Sequence, residues 1–212
     1  IVSSGGTATD TVISSGGSQV INDGGSAVSA AVSSGGFQLV SSGGTATDTV
    51  ISSGGVVSVA SGGSATNINQ SSGAAIVVDT GAGLVSGSRY DGVIFEISGG
   101  SASNVLLENG GQLTVLSGHS AISTTVSSGG KVIVRGTTTS TVINSSGREE
   151  VYSGGKASNT VISSGGSQVI YKGGSAVSAT VSSGGFQLVS SGGTATDTVI
   201  SSGGSQVIND GG

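Results

Sequence analysis

The chain has 212 residues, 42 of them glycine, with no cysteine, proline, methionine or tryptophan, and a net charge of −5 carried on only 8% charged residues. This composition excludes a disulfide framework and a collagen triplet, and it offers neither the basic stripe nor the aromatics that nucleic-acid binding needs. The apolar runs are too short to span a bilayer, so no membrane contact is expected of this segment, and the regular recurrence of valine and isoleucine argues against a disordered linker.

Ile1–Gly6, IVSSGG, reads as the tail of a turn whose beginning lies elsewhere, so the chain is expected to be a fragment of a longer array, forming one domain over residues 1–212. Thr7–Gly25, TATDTVISSGGSQVINDGG, sets the unit: glycine pairs at Gly16-Gly17 and Gly24-Gly25 divide nineteen residues into steps of eleven and eight. Ser26–Gly44 and Thr45–Gly63 repeat it, and it returns as Lys156–Gly174, Ser175–Gly193 and Thr194–Gly212. A fixed period near twenty marks a solenoid, in which stacked neighbours bury what one repeat cannot.

Three columns of small or β-branched residues run through the units. One is Ala8, Ala27, Ala46, Ala65, Ala102, Ala121, Ala157, Ala176 and Ala195. A second begins Ile13, Val32, Ile51 and a third Ile21, Val40, Val59. These residue types suit pleated strands stacked on like neighbours, and the glycines between them supply the bends. The prediction is an all-β protein, a right-handed parallel β-helix of about eleven turns of a nineteen-residue repeat, roughly 50 Å long at ~4.8 Å per turn.

The ruler slips in the middle. Residues 83–100, GLVSGSRYDGVIFEISGG, are one residue short and bring together Arg89, Tyr90, Asp91, Phe95 and Glu96. Residues 120–155 hold a second irregularity, short by two residues at Ser120–Gly136 and with Glu149-Glu150 where other turns have Gln-Val. Such turns bend a solenoid, close a local gap or carry a protruding loop. Residues 163–204 repeat residues 14–55 except at Asn22/Tyr171, Asp23/Lys172 and Ala31/Thr180, the mark of recent duplication.

No catalytic or metal constellation emerges from the residues. The acids are scattered, the single histidine His119 replaces a corner glycine, and Glu149 and Glu150 point to opposite faces of a strand. A carbohydrate-active enzyme using residues 83–100 is the alternative from a different class. The column Asp10, Asp48, Asn67, Asn104, Asn159 and Asp197 reads as turn capping and as a candidate polar face for self-association. Hydroxyls crowd one corner: Ser14-Ser15, Ser33-Ser34, Ser52-Ser53, Ser71-Ser72, Ser127-Ser128, Ser163-Ser164, Ser182-Ser183 and Ser201-Ser202. Small polar residues form turns well; the same serines are also exposed enough by expectation to be sugar acceptors.

The nineteen-residue unit, the Ser-Gly-Gly corners and the odd stretch VSGSRYDGVIFEISGG together resemble the passenger domain of AIDA-type self-associating autotransporter adhesins, over essentially the whole chain. The resemblance implies a structural, non-enzymatic cell-surface or secreted protein, exported through the periplasm and outer membrane. It further implies adhesion to host cells, autoaggregation and biofilm formation, with other copies of the chain and the host-cell surface as partners. Several members are modified on Ser and Thr by a heptosyltransferase, so covalent O-linked heptose on the corner serines is expected in place of any cofactor.

Overall fold

The computed structural model describes residues 1–212, and every regular element in it is a β-strand. The chain is a parallel β-solenoid of about eleven turns with a repeat of about nineteen residues. A regular turn has three strands of three, two and four residues, as in Thr7–Thr9, Val12–Ile13 and Ser18–Ile21. Neighbouring turns pair in parallel at one full repeat: Ala8 with Ala27, Ile13 with Val32, Ile21 with Val40. The repeat length is thus the hydrogen-bond register, and every side chain meets its counterpart one turn away.

Two compact units make up the chain, Ile1–Asn104 and Val105–Gly212. Within each, the apolar columns read from the sequence turn inward: Ile21, Val32, Val40 and Ile51 in the first, and Leu107, Val126, Ile143 and Ile170 in the second, are fully buried. Two further inward columns had no place among those three. One runs through Ala30, Thr49, Thr124, Thr141, Thr160 and Ala179, and the other through Gln19, Gln38, Glu149, Gln168 and Gln187. The interior is therefore partly polar. Glutamine satisfies itself there because identical amides one turn apart donate and accept in sequence: Gln38 Nε2 donates to Gln19 Oε1 at 2.9 Å, and Gln187 Nε2 to Gln168 Oε1 at 2.6 Å.

Each regular turn has three corners. At the first, Asp10, Ser29, Asp48, Asn67, Asn104, Ser123, Ser140, Asn159, Ser178 and Asp197 all take positive φ between 52° and 56°. Asn and Asp tolerate this left-handed region better than other residues with a Cβ and fill six of the ten places; serine fills the other four. At the other two corners the paired glycines have separate tasks. The first takes positive φ, +74° at Gly35, while a Cβ on the second, Gly36, would collide with the carbonyl of Ile13 one turn earlier.

Residues 83–100 do not run round the coil as a shortened turn. Val85–Arg89 lies parallel to the strand Ser64–Gln70, then Ile94–Ser98 and Ser101–Ser103 return antiparallel, one after the other. The result is a hairpin set into one face, with Phe95 and Ile97 buried beneath it. In 120–155, the two missing residues come from one corner, where Arg135 and Gly136 alone link Val134 to Thr137.

Candidate glycosylation and interaction surfaces

The hydroxyl-rich corner follows the two-residue strand in most turns, though after Leu106–Leu107 it reads Glu108-Asn109 instead. In a pair such as Ser33-Ser34 the first serine is locked into the ladder: its N–H donates to Ile13 O at 2.8 Å and its carbonyl accepts from Gly36 N–H at 2.7 Å. The second stands at the tip of the bend. Accordingly Ser15, Ser34, Ser53, Ser72, Ser128, Ser164, Ser183 and Ser202 are all exposed. Of the first serines, Ser33, Ser52, Ser71, Ser163 and Ser182 are half-buried, and only Ser14 and Ser201 are open.

Ser127 is the exception among the sixteen. It is buried, and its Oγ donates to Glu108 Oε1 at 3.1 Å, so its hydroxyl already has a structural partner. Exposed tip serines also stand at the other glycine corner, at Ser42, Ser61, Ser153 and Ser191. These lie outside the candidate pairs above, although the same Ser-Gly-Gly signature marks them.

The column proposed for self-association is outward-facing. Asp10, Asp48, Asn67, Asn159 and Asp197 are exposed and Asn104 is half-buried. Asn67 Nδ2 donates to Asp48 Oδ1 at 3.1 Å, one rung of a side-chain ladder, whereas Asn104 Nδ2 turns to Ile94 O at 3.1 Å and ties down the hairpin. The shared positive φ means that the backbone selects these residues first; the outward side chain is a consequence.

The charged groups of the hairpin serve its own geometry. Arg89 Nη2 meets Asp91 Oδ2 at 2.6 Å, Asp91 Oδ1 accepts from Val93 N–H at 3.2 Å, and Arg89 Nη1 donates to Asn104 O at 3.2 Å. Glu96, midway along its strand, accepts from Ser98 Oγ at 2.7 Å. Asp91 sits at the tip and Glu96 in the strand, and no hydrogen bond links them into an acid–base pair. Glu149 and Glu150 likewise separate, as the strand alternation predicts: Glu149 is wholly inside, and Glu150 lies on the outer face against Arg148.

A family described as "adhesin of bacterial autotransporter system, probable stalk" matches residues 86–147 and 151–211, more than half of the chain. This chain belongs to the AIDA adhesin family. A solved relative, the crystal structure of the TibC-catalysed hyper-glycosylated TibA fragment, is 40% identical with a TM-score of 0.58, over 98% of this chain and 84% of that one. No curated protein matches the chain. As an AIDA-type passenger domain, the chain is a cell-surface adhesin segment, and the tip serines of its repeated corners face outward.

Proposed function

We propose that this chain is a stalk segment of a bacterial surface adhesin, exported through the periplasm and outer membrane, whose tip serines carry O-linked heptose added by a heptosyltransferase. One observation carries this reading: an exposed serine recurs at the same corner in turn after turn, on a chain 40% identical to a hyper-glycosylated adhesin fragment. Adhesion to host cells, autoaggregation and biofilm formation follow from multiplicity. Weak polar contacts repeated along an array give avidity that grows with the number of turns, with no single deep pocket required.

The test is the intact mass of the protein made with and without the cognate heptosyltransferase, followed by mapping of the modified serines. Mass increments of whole heptose residues, concentrated on Ser34, Ser53, Ser72, Ser128, Ser164 and Ser183, are expected. An unmodified mass in the presence of an active transferase would remove the glycosylation part of the proposal. For adhesion, removal of whole nineteen-residue turns is expected to weaken aggregation in steps; abolition by one substitution in one turn would point instead to a discrete site.

A further inference from the structure

The two duplicated segments amount to an internal comparison. Residues 14–55 and 163–204 share their strands, corners and inward residues, yet Asn22-Asp23 in the first is Tyr171-Lys172 in the second. Both pairs fit the same corner: Gly25 N–H donates to Asn22 O at 2.9 Å, and Gly174 N–H donates to Tyr171 O at 2.8 Å. The scaffold therefore does not require either pair. What changes is the surface, from an amide and an acid to an aromatic ring and a base.

Around Tyr171 the surface is unlike any other in the chain. Tyr152, at the same corner one turn earlier, stacks on Tyr171 with ring centroids 4.7 Å apart and planes 21° from parallel. Arg135, one turn earlier again, places its guanidinium 5.1 Å from the centre of the Tyr152 ring. On the other side the register brings Ser190 next to Tyr171, and a serine cannot cover a ring. The column thus runs cation, ring, ring, and then a gap one strand spacing deep, ~4.8 Å. Lys172 lies along the next corner, its stem against Gly192.

Glu150 holds the platform in place. Its Oε1 accepts from Arg148 Nε at 2.7 Å, its Oε2 accepts from the Tyr152 hydroxyl at 3.0 Å, and Arg148 Nη2 reaches the Tyr171 hydroxyl at 3.4 Å. Burial, and then the Glu150 carboxylate, push the Tyr152 phenol up from its ordinary pKa, so it remains a neutral donor. Lys131 stands 4.0 Å from the same carboxylate. Glu150 meets Lys131 and Arg148, and Arg135 and Lys172 add two further positive charges beside the rings, so the patch is cationic in a chain that carries −5 overall. Five of the six basic residues fall between Lys131 and Lys172, and of these Arg135 and Arg148 touch the tyrosines directly.

We infer that the Tyr152–Tyr171 stack with its flanking bases is a binding subsite for an acidic saccharide, a pyranose ring that packs on the open face of Tyr171 while its carboxylate or sulfate meets Lys172 and Arg148. A flat ring with weakly polar C–H faces suits the aromatic surface, and an anionic substituent suits the cations beside it. The inference extends the adhesin reading by naming what this segment holds. It is measured on the purified chain, so its failure would leave glycosylation and aggregation untouched.

The experiment is retention of the unglycosylated 212-residue chain on immobilised polygalacturonate, dextran sulfate, neutral dextran and polyglutamate, at low and moderate salt. Retention on either acidic polysaccharide, weakening with salt, and none on dextran is expected; the two acidic arms distinguish carboxylate from sulfate as the favoured group. The double variant Tyr171→Asn with Lys172→Asp restores the residues that the duplicate segment already folds with. It is expected to stay folded, with a melting temperature lowered only by the lost Tyr152 stack, and to lose about tenfold or more in affinity. Tyr171→Asn alone is expected to lose most of that. Equal binding by the double variant overturns the inference. So does equal retention on polyglutamate with no effect of Tyr171→Asn, which would make the patch a charge site only, and so does a self-association equilibrium that the double variant abolishes while saccharide binding persists.

Discussion

Gln168 Nε2 donates to Glu149 Oε2 at 2.8 Å in the interior of the second unit, where both residues are fully buried. The contact ends a chain of amides, Gln206 to Gln187 to Gln168 to Glu149, in which every Nε2 points toward the preceding turn. Val132, which the register sets against Glu149 one turn earlier, carries no amide, so the ladder stops there. A carboxyl accepts at both oxygens, from Gln168 and from the hydroxyls of Thr138 and Thr160 at 2.8 and 3.1 Å. In the first unit the corresponding end is closed differently, by Gln19 Nε2 donating to Thr11 Oγ1 at 3.1 Å.

That arrangement makes stability depend on pH. Burial raises the Glu149 pKa, opposed by the hydrogen bonds from Gln168, Thr138 and Thr160. A carboxyl with a folded pKa above its unfolded value contributes fully below the unfolded pKa, about 4.3, and that contribution is lost as pH rises through the folded pKa. Thermal melts are expected to fall as pH rises above the unfolded pKa in the parent chain and to stay flatter in Glu149→Gln. Parallel pH profiles for the two proteins would show that Glu149 does not control the dependence.

The paired glycines should respond differently to the same substitution. At Gly165 a Cβ meets open space and only the positive φ of +79° opposes it, so Gly165→Ala is expected to cost about 1–2 kcal/mol. At Gly166 a Cβ would lie 2.5 Å from Ile143 O, and Gly166→Ala is expected to cost about 3 kcal/mol, near the upper end for overpacking. Denaturant unfolding of the two variants gives the order directly, and equal losses would contradict it.

Asn159 separates backbone demand from surface chemistry. Its φ of +54° predicts that Asn159→Gly leaves stability nearly unchanged and that Asn159→Val destabilises by more than the ~1–2 kcal/mol strain of an ordinary side chain in this region. Because the glycine variant removes the side chain and keeps the fold, an aggregation assay on the Gly replacements of Asp10, Asp48, Asn67, Asn159 and Asp197 together tests the polar face alone. Undiminished aggregation in that protein would eliminate the column as the associating surface.

Neighbouring serines should differ as acceptors. Ser128 is exposed and Ser127 is buried against Glu108, so Ser128→Ala is expected to lower sugar occupancy, leaving the fold intact. Ser127→Ala is expected to leave the glycan mass unchanged and to destabilise by about 1 kcal/mol through the lost hydrogen bond. Site mapping by mass spectrometry together with thermal melts distinguishes the two, and sugar found on Ser127 would contradict the assignment.

Much of this protein was legible in its sequence because a parallel solenoid turns a one-dimensional period into a three-dimensional register. Nineteen residues from Ala8 is Ala27, and the strands pair them; the inward columns beginning at Ile13 and Ile21 and the bends at the glycine pairs follow from the same count. The roles of the two glycines in a pair were not legible, since one answers to local φ and the other to a carbonyl a full turn away. Strand alternation put Glu149 and Glu150 on opposite faces without saying which was inside, and only stacking reveals that like amides can satisfy one another in the interior. The hairpin at 83–100 needed the fold to decide whether its residues ran round the coil or doubled back. The same holds for Tyr152 and Tyr171: nineteen residues apart in the chain, they become a stacked pair only because the coil advances by one strand spacing per turn.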